Sequence, residues 1–211
     1  GQTFLAMHWG SRFMNSAGAN SLTLSAFDPV SKQPELKHAA IQVEKLDLPW
    51  ELVVMRHTGA AAELMALAQP LLDEFGYATL GLFGRDAPAV ILRAASAAPA
   101  APALIERIDE LFSFDPARCL SYQDARRGIS KRMMIEEGRI TAVRLTGETA
   151  ARDWLKDAMA QGSDTAAIRP WMLAPVSAPP AGSAGRGRIV CNCLDVSEME
   201  IAAEEIGRAH V

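Results

Sequence analysis

The chain has 211 residues, a net charge of −4 and 49% hydrophobic residues, the profile of a globular protein of one to three domains. Its mildly acidic balance argues against a nucleic-acid partner, and its apolar runs are too short and too broken by charge to cross a membrane. Three cysteines are too few for a disulfide scaffold; with no basic start and apolar core in the first twenty residues, the expected setting is a reducing cytoplasm.

Residues 1–57 carry strand signals in "TFLAM" and "AAIQVEKLDL", with apolar residues alone or alternating with polar ones. Between them runs "NSAGANSLTLSAFDPVSKQPELKH", a long stretch punctuated by Gly, Asn, Asp and Pro. Such a loop is either functional or part of an incomplete unit.

Over 50–122 the rhythm changes. "ELVVM" reads as a strand, and Thr58 is placed to cap a helix with Leu64, Leu67, Leu71, Leu72 and Phe75 on one face and Gly76 at its end. "YATLGLF" and "AVILRA" read as strands joined through "GRDAP". "AASAAPAAPA" reads as a solvated connector, and the next helix has Leu104, Ile105, Ile108, Leu111 and Phe112 along one stripe. Cys119–Tyr122 supplies a last strand. The order β-α-β-β-α-β predicts a small split-βαβ sandwich. No GxGxxG accompanies it.

Residues 123–174 read as a hairpin turning at Glu137-Gly138, then a helix from about Thr149 that buries Trp154, Leu155 and Met159 and stops at Gly162. Arg126, Arg127, Lys131 and Arg132 form a basic cluster there, either a docking face for a redox partner or a solvated hairpin surface. Residues 175–187, "PVSAPPAGSAGRG", read as a flexible linker. A short strand follows, then a helix with Ser197 as N-cap, Glu200 completing a capping box, and Val196 and Ile201 as a staple. "EIGRAHV" (205–211) matches a reading frame of a sequencing adapter. It is expected to be a non-native tail, the alternative being an ordinary helix end. The overall fold class is α+β, and the chain is expected to be a fragment.

The chemistry concentrates at two places. Cys191 and Cys193 form a CxC in "RIVCNCLDV". Thiolates bind soft metals and iron–sulfur clusters, and two side chains separated by one residue converge if the backbone turns at Asn192. The pair is otherwise two inert thiols at a strand end. Cys119, with no nearby partner, reads as a buried small hydrophobe. His8, His38, His57 and His210 lack metal-ligand spacing, and no Ser-His-Asp set is present.

"GRIVCNCLDVSEMEI" resembles the opening of the bacterioferritin-associated ferredoxin-like domain. In that family a CxC and a later CxxC hold a [2Fe–2S] cluster, so the resemblance implies a truncated domain over 188–204 with Cys191 and Cys193 as metal ligands. "MHWGSRFMNSAGANSLTLSAFDPVSKQPELKHAA" is similar to the C-terminal end of molybdopterin-guanine-dinucleotide oxidoreductases, above all the catalytic subunits of bacterial assimilatory nitrate reductases. There the HW pair, the N-x-LT and the DPxSKxPELK run belong to a β-barrel domain closing over molybdenum bis(molybdopterin guanine dinucleotide). Residues 1–49 would be the end of that domain. His8 and Trp9 would then offer a ring face and N–H donors, Asn20 a donor and an acceptor for a base or ribose edge, and Lys37 a charge for a phosphate. Ser11 and Ser31 would make smaller contacts. Taken singly, these are also ordinary core, turn and surface residues. "LSYQDARRGISKRMMIEEGRITAVRLTGE" is similar to a segment preceding the cluster domain of flavin-containing nitrite and nitrate reductases.

The implied function is nitrate reduction to nitrite, with no catalytic residue in this piece. The implied partners are the rest of the enzyme, nitrate, and an electron-donor protein or reductase subunit. The alternatives are a formate dehydrogenase-like molybdopterin enzyme and a non-catalytic redox adaptor.

Overall fold

The computed structural model describes residues 3, 5, 10–34, 39–178, 189–191, 196–199, 201, 202 and 204. Its centre is a mixed α+β unit built on one six-stranded antiparallel sheet. The strands are β1 (Trp50–His57), β2 (Tyr77–Phe83), β3 (Ala89–Ser96), β4 (Cys119–Asp124), β5 (Ile129–Glu136) and β6 (Arg139–Thr146). Three α-helices cover it: α1 (Ala61–Ala68), α2 (Pro102–Leu111) and α3 (Arg152–Ala160).

The sheet order is β2-β3-β1-β6-β5-β4. β1, α1, β2 and β3 make the expected split unit, with β3 inserted between β1 and β2. The place on the other side of β1 goes to β6 rather than to Cys119–Tyr122, which forms the far edge. Burial explains the exchange. β6 is buried at nearly every position and so suits a central strand, whereas Ser121, Tyr122 and Gln123 of β4 are exposed. The expected sandwich and hairpin unit therefore share a single sheet, and the 122/123 division falls within β4.

β1 is buried on both faces, which is why it reads as the continuous run "LVVM". Trp50, Leu52 and Val54 face α1 and α2, joining Leu64, Ile108 and Phe112 in one core. Val53 and Met55 face α3, joining Trp154, Leu155 and Met159 in the other. Pro70 ends α1 early, and Gln69–Glu74 continues as a 3₁₀ turn. Ala68 then faces the core, and Leu67 is 57% exposed. Thr58 does not cap α1; its Oγ1 accepts the Ala60 N–H one step earlier. Gly76 has no left-handed φ; instead, a Cβ there would lie 3.0 Å from Leu48 Cδ2. Half of the Ala/Pro tract is in regular structure, since β3 runs to Ser96 and Pro102 opens α2.

The β5–β6 turn has both Glu137 and Gly138 at positive φ, the twist a two-residue hairpin requires. Gly162, also at positive φ, closes α3. Thr149 lies before α3 and its hydroxyl donates to Glu51, so the helix starts at Arg152. Past α3 the chain remains attached: Met172 is fully buried, and the Trp154 Nε1–H donates to the Val176 carbonyl at 3.0 Å. The expected linker is thus tied to the body at its first residues. Among the described residues, no helix is long and apolar enough to cross a membrane.

Candidate functional site

The N-terminal segment is held to the β2 edge of the sheet by Phe13, Met14 and Asn15. The Asn15 side chain donates to the Phe75 carbonyl at 2.8 Å and accepts the Ala78 N–H at 2.9 Å. The Leu80 N–H donates to the Phe13 carbonyl at 2.7 Å, and Met14 bridges Thr79. Beyond this clamp, residues 16–34 turn on themselves. Asn20 lies in a 3₁₀ turn, Ala19–Leu22, whose end is fixed by the Thr23 hydroxyl donating to the Asn20 carbonyl. Asn20 is exposed, and its side-chain amide bonds to no described residue.

The "DPVSK" run is a turn built around Asp28. Its carboxylate accepts the N–H groups of Val30 at 3.0 Å and Ser31 at 2.6 Å. Those bonds, Ser31's foremost, hold the Asp28 carboxyl below the usual carboxylate range. The Ser31 hydroxyl accepts the Gln33 N–H, so Ser31 is used within the turn. Lys32, at φ 59°, places its ammonium 5.4 Å from the centre of the Phe27 ring. Ser11 is exposed. His8, Trp9 and Lys37 lie outside the described residues.

Residues 39–48 form no strand, although their pattern predicts one. A strand needs a neighbour to accept its backbone bonds, and none of the described residues supplies it. Their apolar side chains are correspondingly open: Val43 is 74% exposed and Leu46 66%, with Leu24 and Val30 more open still.

The cysteine stretch forms a small ribbon, β7 (Ile189–Cys191) antiparallel to β8 (Val196–Ser197). Cys191 pairs with Val196, and the four residues between them lie outside the described residues. Cys193 is one of them. β7 ends at Cys191, and the turn expected at Asn192 lies outside the described residues. Ser197 is buried at 1% exposure and stands just before the helical residues Glu198 and Met199, where the N-cap is expected. Among the described residues, no three His, Cys, Asp or Glu side chains gather as for a metal. Cys119 is on β4, half-buried beside the α2-side core, and burial pushes its thiol up.

The basic hairpin is not one charged surface. The Lys131 ammonium is buried, donating to the Glu148 carboxylate and, at 3.0 Å, to the Leu173 carbonyl. Arg132 binds Asp109 at 2.8 Å from the opposite face of the sheet. Asp109 also receives the Nε–H of Arg144 at 2.6 Å. Burial pushes the Arg144 guanidinium down, and Asp109 partly offsets this. Alternation along β5 separates the two cations: Lys131 points to one face and Arg132 to the other. Only Arg126 and Arg127 remain on the exposed turn, their N–H groups donating to Asp124 Oδ1.

A cleft of about 870 Å³ opens at one end of the sheet, lined by His57, Arg118, Glu136, Arg139, Thr141 and Gln161 among others. The His57 ring lies between two carbonyls, Nε2 3.0 Å from Met159 O and Nδ1 3.4 Å from Pro88 O. It ties β1 to the end of α3. The cleft mixes both charge signs and contains no nucleophile–base pair.

A stretch of 43 residues is 46% identical to a nitrate reductase of Synechocystis sp. (strain ATCC 27184 / PCC 6803 / Kazusa). It covers 20% of this chain and 6% of that protein, so the chain spans only a small part of the relative's length. No family model and no solved structure matches the chain. In that stretch the chain is similar to a nitrate reductase.

Proposed function

We propose that this chain is part of a cytoplasmic, molybdenum-dependent nitrate reductase that converts nitrate to nitrite for assimilation. The observation carrying the reading is the 43-residue likeness to a nitrate reductase, which favours nitrate over a formate dehydrogenase-like reaction. Two features of the chain support it. Asn20 is exposed on a fixed turn, with no side-chain partner among the described residues, so its amide can offer a donor and an acceptor to a nucleotide edge. β7 ends at Cys191, and a turn at Asn192 would let the two thiolates share one centre.

In this reading residues 1–49 close over a pterin dinucleotide. Asn20 hydrogen-bonds a base or ribose edge, Lys37 neutralises a phosphate, and His8 and Trp9 provide a ring face. Cys191 and Cys193 supply two thiolates of a [2Fe–2S] site whose other ligands are not among residues 1–211. The molybdenum centre, when bound, supplies the two-electron reduction of nitrate, with two protons taken up and water released. The residues of this chain bind and orient; none is assigned a proton-transfer role. The six-stranded unit links the nucleotide-binding and cluster-binding ends, and electrons enter from a donor protein or reductase subunit.

The test uses the complete enzyme. Cys191→Ser with Cys193→Ser should remove the visible absorption of one cluster and leave molybdenum near normal. Joint loss of molybdenum and the cluster counts against separate roles for the two ends. Asn20→Ala and Lys37→Ala should lower retained pterin, and unchanged pterin removes those residues from the site. A complete enzyme free of molybdenum and pterin would overturn the proposal.

A further inference from the structure

The cleft beside His57 is assembled from three parts of the fold. The loop between β2 and β3 brings Asp86, the β5–β6 turn brings Glu137 and Arg139, and α3 ends in the wall with residues 159–162. Its volume, about 870 Å³, lies in the range of small-molecule sites. An irregularity shapes the wall. Along the β5–β6 ladder Met134 pairs with Ala142 and Ile135 with Ile140, so Thr141 opposes no residue of β5. Such a bulge re-aims side chains and recurs beside functional sites. The Thr141 hydroxyl, buried in this wall, has no hydrogen-bond partner among the described residues, so the fold leaves a polar group there unused.

The charges of the cleft divide into used and unused. Arg118 and Glu136 hold each other at 3.1 Å. Asp86, Glu137 and Arg139 are exposed, and none of them ion-pairs with a described residue. Opposite charges thus line one cleft without reaching each other. The layout explains why. Asp86 precedes β3 and Arg139 opens β6, and those strands flank β1, about 10 Å apart at two strand spacings. A ligand that answers both must carry a cation and an anion of its own. The negative end of the α3 dipole lies in the same wall and favours the cation. The exposed Gln161 amide bonds to no described residue and offers a donor and an acceptor to a neutral polar group.

From this we infer that the cleft binds a small zwitterion, an α-amino acid with an uncharged polar side chain. Arg139 receives its carboxylate and Asp86 its ammonium, while Glu137 and the end of α3 strengthen the negative field around the ammonium. Gln161 meets the side chain. One charge-assisted contact of about 2.8 Å at each end, added to the length of the amino acid itself, spans a gap of the size set by the two strands. The site lies within the sheet unit, and its ligand is independent of the chemistry proposed for the two ends of the chain.

Titration calorimetry of the 211-residue chain with L-glutamine tests this. One site per chain is expected, with Kd below about 1 mM. L-Glutaminamide keeps the ammonium and lacks the carboxylate, and N-acetyl-L-glutamine does the reverse; each should bind at least about fivefold more weakly. Arg139→Gln should weaken L-glutamine by a similar factor and remove its advantage over L-glutaminamide, and Asp86→Asn should remove its advantage over N-acetyl-L-glutamine. Both variants should keep the wild-type unfolding midpoint in urea, since neither side chain has a partner to lose. Arg107→Gln, outside the cleft, should bind as wild type does. No binding below about 1 mM, L-glutaminamide bound as tightly as L-glutamine (a site for cations only), N-acetyl-L-glutamine bound as tightly (a site for anions only), or variants that keep the wild-type discrimination would each overturn the inference.

Discussion

Asp109→Asn tests whether the charges buried between α2 and the sheet hold the unit together. Arg144 has a side chain only 1% exposed, and Asp109 one 7% exposed. Once Asp109 is neutral, Arg144 keeps only the Ser130 hydroxyl at 3.2 Å and a marginal contact to the Ser130 carbonyl. Arg132, 31% exposed, can turn to water. Removing one partner of a buried pair costs about 3–5 kcal/mol, because the remaining charge is uncompensated. Asn retains one acceptor for Arg144, so the lower end applies, about 3 kcal/mol. For a chain of this size that lowers Tm by roughly 6–12 °C. Urea unfolding followed by tryptophan fluorescence reads it, since Trp50 and Trp154 are buried in the two cores. Glu74→Gln, which breaks the exposed pair with Arg107, is the control and should cost less than about 0.5 kcal/mol. Asp109→Leu combined with Arg144→Met should come within about 1 kcal/mol of wild type, because apolar packing replaces the pair without leaving a lone charge. A loss below about 1 kcal/mol for Asp109→Asn, or a double variant no better than the single, refutes the argument.

Two further outcomes are expected. Gly147→Ala should destabilise by more than about 2 kcal/mol, because the new Cβ would sit 2.4 Å from the Gly128 carbonyl oxygen at φ +74°; Gly138→Ala, at a similar φ with open space around it, should cost only about 1 kcal/mol, and equal costs in denaturant titration would show that the close approach is immaterial. In a Cys191→Ser/Cys193→Ser background, Cys119 should react with iodoacetamide at about pH 8 more slowly than a small free thiol, because burial pushes its thiol up and leaves less thiolate; the deficit should shrink as pH rises above the usual thiol range, and a rate matching the free thiol at about pH 8 would contradict the burial.

What could be read from the sequence was local. "LVVM" in β1, the stripe from Leu104 to Phe112 and the Glu137-Gly138 turn each state their own structure through periodicity or turn chemistry, and all three appear as expected. The position of β6 beside β1 was not local. It depends on which strand has two apolar faces, and "TAVRLTG" hides this because Arg144 interrupts the pattern. Only the partner Asp109, 35 residues away, makes that arginine a core residue. The basic cluster misled for the same reason: adjacent cations in sequence diverge to opposite faces of a strand, where Glu148 and Asp109 await them. Asn15 escaped notice because its value lies in reaching Phe75 and Ala78, whereas Asn20, in the same loop, stood out only through the resemblance. For 39–48, a correct alternating pattern produced no strand because pattern supplies a face and not a neighbour.

The division of labour along the chain follows from where polar groups are satisfied. Within 50–176, Asp109, Arg144, Lys131, Thr146 and Thr149 are buried and hydrogen-bonded to other groups of the same unit, so the charges buried in that body are already committed. Outside it some groups are less committed. The Asn20 amide has no partner among the described residues, Leu24 and Val43 are open to water, and Cys191 stands at the end of a three-residue strand. A segment that exposes apolar side chains beside uncommitted polar ones gains more from a partner than from its own body. The chemistry proposed for the two ends should therefore respond to substitutions that leave the sheet unit's unfolding unchanged, and Asp109→Asn should weaken the sheet unit without removing any group that would touch a cofactor.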